Sequence, residues 1–268
     1  MTRLEKWSHL CYDKGVKREK STRNMVYWSC FLFFIKRIDS SLRVDFRIIS
    51  RRDVQGEFFG LLGHNGTGKT TTIEMMLGLK TIDHGYVSLL GMNPRKERRA
   101  YEKVGVQLHS SHYQRHMKVY EVCEERATLY KNPQDYKTLL KKFHFMPRLD
   151  MYVEDLSGGE KQKLSIVLAL IGQPEIVFLD ELTTGLDAAS RREVWEILKQ
   201  WKQEGTTIVL TTHYLEEAEY LCDQLYLIKH GKKAISGSVQ EIIESSPFFH
   251  LGEAYLWYMG GKEEWRDF

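Results

Sequence analysis

A short apolar run, a glycine-rich loop and a helix pattern follow one another without a break in GEFFGLLGHNGTGKTTTIEMMLGL, Gly56 to Leu79. Phe58 to Leu62 reads as a buried strand, and the helix pattern is expected to run from Thr71 through Leu79. Between them, Gly63-His64-Asn65-Gly66-Thr67-Gly68-Lys69-Thr70 matches G-x-x-x-x-G-K-[ST] in the strand–loop–helix context that the pattern requires. Its glycines let backbone N–H groups turn inward around phosphate oxygens, and the helix start adds the positive end of its dipole. Lys69 is placed to reach the β- and γ-phosphates, and Thr70 Oγ to ligate Mg²⁺. Few features constrain a fold so tightly. This one requires an α/β, P-loop NTPase core.

Two further segments supply what a bound triphosphate lacks. In EIVFLDEL, Ile176 to Leu179 is an apolar strand that ends in Asp180-Glu181. Asp180 at a strand's carboxyl end is placed to hold Mg²⁺ through a water. Glu181, one residue on, points elsewhere and is a candidate for polarising an attacking water. In TTIVLTTHYLEEAE, a β-branched strand over Thr206–Thr212 ends in His213. A lone histidine is more often structural. This one ends a third strand of the same sheet, on the edge where open α/β folds bind ligands, which puts it near a γ-phosphate.

A second glycine motif, LSGGEKQKLSIVLALIG, begins with Ser157 as the cap of a helix whose first turn holds Gly158 and Gly159. Two glycines weaken an ordinary first turn, so this start is built to let something approach its backbone. The order is now phosphate loop, LSGGE, a strand with LDE, TTGLD at Thr183–Asp187, and His213. In that order the chain, from about residue 25 onward, resembles the nucleotide-binding subunit of an ABC transporter, and most resembles the separate ATPase subunits of ABC-2-type exporters.

The resemblance implies a mixed β-sheet core with an inserted α-helical subdomain. It implies ATP and Mg²⁺ as ligands, with ATP hydrolysis by Glu181, His213 and Lys69. The nucleotide would lie on Gly63, His64, Asn65, Gly66, Thr67, Gly68, Lys69, Thr70 and Thr71. Two copies would pair head to tail, so that Ser157, Gly158 and Gly159 of one copy bind the γ-phosphate held by the other and Asp187 lies at the seam. A polytopic membrane permease is the implied second partner, which places the chain in the cytoplasm on the inner face of the cell membrane. Metal contacts would come from Thr70, Asp180 and a glutamine-loop residue. Gln107 and His109 both stand as candidates for that residue. An aromatic that stacks on adenine falls by spacing at Phe34.

The chain departs from the family pattern at Glu160, where glutamine is common, and at Leu182 and Ala188, where proline is usual. A carboxylate at 160 would oppose an incoming triphosphate unless it points to solvent. Residues 25–238 are expected to form the ATPase domain, with the helical subdomain over about 107–171 and a helical tail over 239–268. Residues 1–24 read as a basic leader outside the fold.

Charge and cysteine usage agree. Residues 1–52 carry 13 Lys/Arg and 5 Asp/Glu in a chain of net charge +3, so the remainder is acidic. That basic stretch reads as a solvated arm, and no nucleic-acid partner is expected. Four scattered cysteines form no Cys-x-x-Cys pair, which fits reduced thiols. No run reaches the roughly 20 apolar residues that span a bilayer. The closest, Met25–Ile35, reads as a buried strand. An ABC ATPase acting on DNA or ribosomes is the alternative. Ser157 follows Gly63 by only 94 residues, which leaves no room for the coiled coils of repair enzymes, and one such domain is present where ribosome-acting relatives carry two.

Overall fold

The computed structural model describes residues 33–36, 43–46, 56–82, 85–108 and 113–260, with the backbone alone for 33–36, 43–46 and 85–86. The expected leader over residues 1–24 and the candidate His109 lie outside them. Strands β1 (Phe33–Lys36) and β2 (Arg43–Phe46) pair antiparallel, with Phe34 opposite Asp45. Of Met25–Ile35, expected as one buried strand, the described part is Phe33–Ile35, within β1.

After β2 come β3 (Phe58–Leu62), helix α1 (Lys69–Met76) and β4 (Gly85–Tyr86), which joins β1 to complete a three-stranded sheet. α1 begins two residues before Thr71 and stops short of Leu79. Gly78 takes φ 68°, and the N–H groups of Gly78 and Leu79 donate to the carbonyls of Met75 and Glu74. That is a Schellman stop, which the left-handed glycine makes available.

β5 (Val104–Gln107) leads into the helical segment: α2 (Val119–Thr128), α3 (Tyr136–Lys142) and α4 (Gly158–Leu170). The chain returns as β6 (Ile176–Asp180), α5 (Ala188–Gln203), β7 (Thr207–Thr212), α6 (Leu215–Leu221), β8 (Gln224–Lys229) and β9 (Lys232–Gly237). Two helices close it, α7 (Val239–Glu244) and α8 (Leu251–Gly260). The main sheet has the order β5-β6-β7-β3-β8-β9, and every strand in it is parallel except β9. It is the mixed sheet of an α/β P-loop NTPase fold. No helix among the described residues is long and apolar enough to cross a membrane.

Alternation along the strands explains why the apolar runs are continuous. Phe58, Leu62, Val177, Leu179, Ile208 and Leu210 enter one core, while Phe59, Leu61, Ile176, Phe178 and Val209 enter the other. A period of two with both faces covered leaves no polar side. α5 presents Val194, Trp195, Ile197, Leu198 and Trp201 to the first core, one stripe at helical spacing. α1 presents Ile73 and Met76 to the second. Among the described residues the helical segment packs into the first core rather than forming one of its own. Leu139, Leu140 and Phe143 of the α3 region join the first, and the Phe143 ring lies 5.5 Å from that of Trp201.

Candidate functional site

Because β6, β7 and β3 are neighbours and parallel, their carboxyl ends bring three motifs to one sheet edge. These are the Gly63 loop, Asp180-Glu181 and His213, and that edge is where ligands bind in such sheets. Gly68, at φ 102°, turns the loop into α1. Lys69 is 4% exposed, and its Nζ donates to the carbonyls of Gly63 at 2.8 Å and His64 at 3.1 Å. The same ammonium lies 3.4 Å from Glu181 Oε1. A cavity of about 410 Å³ opens here, lined by Asn65, Gly66, Gly68, Lys69, Thr70, Thr71 and Glu181. Thr67 closes the loop on itself, its hydroxyl donating to the His64 carbonyl at 2.9 Å.

Asp180 is fully buried, and its two oxygens are treated differently. Oδ1 accepts from the hydroxyls of Thr70 at 3.2 Å and Thr211 at 2.5 Å. Oδ2 is buried and has no hydrogen-bond partner among the described residues. A buried carboxylate oxygen without a partner is costly, and a hard cation beside it supplies what is missing. Thr70 Oγ1 and Asp180 thus fit Mg²⁺, an ion that takes one or two protein oxygens and completes its shell with phosphate and water. No cluster of three or more His, Cys, Asp or Glu able to hold a metal occurs among the described residues, so an ion here would depend on its ligand's own oxygens.

Glu181 takes φ 50°, an uncommon conformation for a side chain of its type. Its N–H donates to both the carbonyl and the hydroxyl of Thr211, at 3.2 and 2.9 Å. The Thr211 hydroxyl therefore ties Asp180 and Glu181 together. Sequence reading passed over this residue, because a threonine in a β-branched strand looks like ordinary strand material. His213 Nδ1 is buried, makes no hydrogen bond among the described residues, and lies 3.8 Å from Glu181 Oε2.

Gln107 is 3% exposed at the end of β5, and its amide serves the main chain. Its Oε1 accepts from Asp180 N–H at 3.1 Å, and its Nε2 donates to the Leu108 carbonyl at 3.1 Å. Both amide groups are thus engaged beside Asp180, and Gln107 braces that residue rather than facing the cavity. Phe34 lies in β1, of whose side chains only the strand position is described. The ring of His64, exposed on the loop, meets the ring edge of Tyr255 from α8 at 5.6 Å. That long-range contact has no local signal in the sequence.

Ser157 caps α4, with its Oγ accepting from Glu160 N–H at 3.2 Å while Glu160 Oε2 accepts from Ser157 N–H at 2.9 Å. The other oxygen of Glu160 accepts from Arg148 Nε at 2.6 Å. The Arg148 contact, and then the Ser157 N–H, hold this carboxyl below the usual glutamate range. The extra carboxylate at position 160 is therefore folded back into a capping box and charge-paired. A Cβ on Gly158 would meet nothing within 4 Å, whereas one on Gly159 would approach Leu186 Cδ2 at 3.0 Å. Asp187 caps α5 on an exposed surface, accepting from the N–H and hydroxyl of Ser190 at 2.9 and 2.7 Å. Neither Asp187 nor the Ser157–Gly159 segment lines the cavity at the phosphate loop.

A family model described as ABC transporter matches residues 48–184. The Nod factor export ATP-binding protein I of Burkholderia lata is 39% identical over 196 residues, covering 71% of this chain and 64% of the relative, just under two thirds of its length. The protein of that name from Burkholderia pseudomallei is 39% identical over 216 residues, covering 78% of this chain and 70% of the relative. A solved ATP binding subunit of an ABC transporter matches with a TM-score of 0.75 at 25% identity, covering 85% of this chain and 98% of that one.

Proposed function

This chain belongs to the ABC transporter family, and from that premise we propose that it hydrolyses ATP as one of two paired subunits that drive a separate polytopic permease. The observation that carries the reading is the separation of its two anion-ready loops. The phosphate loop has its own cavity, and the Ser157-Gly158-Gly159 start is absent from its lining. Gly158 has open space where a side chain would stand, so nothing among the described residues requires glycine there. A second copy arranged head to tail would fill that space with its own nucleotide. The export function in the relatives' names supports export as the direction, and a cytoplasmic position on the inner face of the membrane follows from the permease partner.

In this reading the loop N–H groups and Lys69 hold the phosphates, with Lys69 exchanging the Gly63 and His64 carbonyls for β- and γ-oxygens. Thr70 and Asp180 hold Mg²⁺, which when bound neutralises charge that builds on the transferring phosphoryl group. Glu181 accepts a proton from the attacking water, and His213 faces the γ-phosphate from the neighbouring strand. Glu181→Gln keeps ATP binding and lowers turnover by about 10²–10⁴-fold, the usual cost of losing a general base.

The pairing is tested by mixing. Lys69→Ala and Ser157→Arg are each inactive alone. In a mixed dimer both lesions fall on one composite site and leave the other intact. Recovery of ATPase activity on mixing supports the arrangement. No recovery, with mixed dimers shown to form and single-site turnover established by another mutant pair, refutes it.

A further inference from the structure

His213 reaches the reacting edge from a loop, where its Nδ1 makes no hydrogen bond among the described residues and stands 3.8 Å from Glu181 Oε2, so ring contacts can also set its orientation. The structure supplies a stack. The Tyr214 ring centroid lies 4.2 Å from that of His213 with the two planes tilted by 38°, and the Arg191 guanidinium lies 4.3 Å from the centroid of the same Tyr214 ring. Arg191 Nε is buried without a hydrogen-bond partner among the described residues, and the guanidinium carbon sits over the tyrosine face at cation–π distance. Tyr214 is itself anchored, its N–H donating to Thr212 Oγ1 at 2.9 Å. Arg191 stands in the first turn of α5, where its N–H donates to the carbonyl of the capping Asp187 at 2.9 Å.

We propose that Tyr214 and Arg191 are positioning residues for His213, a cation–ring–ring ladder running from the start of α5 to the reacting edge. The inference rests on the reading of His213 as a γ-phosphate contact. Its consequence is that His213 is set by where the first turn of α5 sits, and so by whatever Asp187 meets. The ring, not the hydroxyl, is the working part of Tyr214. The cation of Arg191 acts only through that ring.

The test uses the full chain and steady-state ATP hydrolysis. Tyr214→Leu lowers kcat by about tenfold with KM for ATP within about twofold, as expected from losing a cation–π contact and a ring stack at a reacting group. Tyr214→Phe keeps kcat within about twofold of wild type, because the ring and its face remain. Arg191→Gln falls with Tyr214→Leu, and the double variant is no slower than Tyr214→Leu alone, since both remove one ladder. Full turnover by Tyr214→Leu, a loss in Tyr214→Phe equal to that in Tyr214→Leu, or losses that multiply in the double variant would each overturn the proposal. His213→Ala separates it from its premise. Wild-type turnover by His213→Ala refutes the role of His213 itself, whereas a slow His213→Ala beside a fast Tyr214→Leu refutes only the ladder.

Discussion

Replacing Thr211 with valine removes one hydroxyl and disturbs both catalytic-edge carboxylates. The side chain is 1% exposed and valine matches its volume, so no cavity forms. The hydroxyl's bond to Asp180 Oδ1, 2.5 Å long, is lost. A hydrogen bond to a charged group contributes about 1.5–3 kcal/mol. Glu181 N–H keeps the Thr211 carbonyl, at 3.2 Å. Burying one more methyl returns up to about 0.8 kcal/mol. The net loss is about 2 kcal/mol, which for a chain of this size lowers Tm by roughly 4–8 °C. The second effect falls on Glu181, held at φ 50° by the same hydroxyl. With the main-chain tether reduced to the Thr211 carbonyl, the carboxylate is held less tightly at its working position, and turnover at saturating ATP falls by about tenfold. Thermal melts and phosphate release measure the two effects separately. Thr211→Ser, which keeps the hydroxyl, retains the turnover. A Thr211→Val protein that melts within about 1 °C of wild type and hydrolyses ATP at the same rate would falsify the account of this hydroxyl.

Gly60→Ala in the middle of β3 places a methyl 2.5 Å from Cys222 Sγ and 2.6 Å from Leu225 Cδ2, so it destabilises by about 1–3 kcal/mol; adding Cys222→Ala recovers part of the lost melting temperature. Burial, with the charge of Glu124 added, pushes the Cys123 thiol up to about 12, and Cys222 is buried too. Neither is alkylated at pH 8 in the folded chain, and peptide mass spectrometry showing label without denaturant contradicts this. Glu160 is held below its usual range, so its contribution is present above the unfolded glutamate pKa and is lost as pH falls through the folded value. Thermal melts across the acid range should therefore drop less steeply for Glu160→Gln than for wild type, and parallel curves argue against that contribution.

The legible parts of the chain are those whose chemistry is local. Phe58–Leu62 shows as a buried strand because its own run is apolar on both faces, and the loop after it shows because its glycines and Lys69 are needed in sequence order. Asp180, Glu181 and His213 show because each ends such a run. What stayed hidden depends on distant residues. Thr211 matters through carboxylates on β6, and Arg148 through a carboxylate twelve residues on. The ring of Tyr255 meets His64 only after the tail helices fold back. The bond from Asp180 N–H to the Gln107 side-chain oxygen forms only once β5 is laid beside β6, which the local sequence does not show. The stop of α1 at Gly78 was readable in principle, since glycine after a helical run is the usual Schellman residue.

The place of β3 in the sheet has a consequence for how the chain is made. Phe58 pairs with Ile208, and Gly60 with Leu225, so the first strand of the main sheet to leave the ribosome has both neighbours far behind it. At about 5–20 residues per second, the 150 residues between Phe58 and Ile208 take roughly 8–30 s to synthesise. Throughout that interval FFGLL, apolar and uncharged, has both edges unpaired. Parallel pairing across such distances is slow even once the chain is complete. Yield from cells should therefore depend on translation rate and on chaperones that shelter early hydrophobic segments, more than on the final stability of the fold.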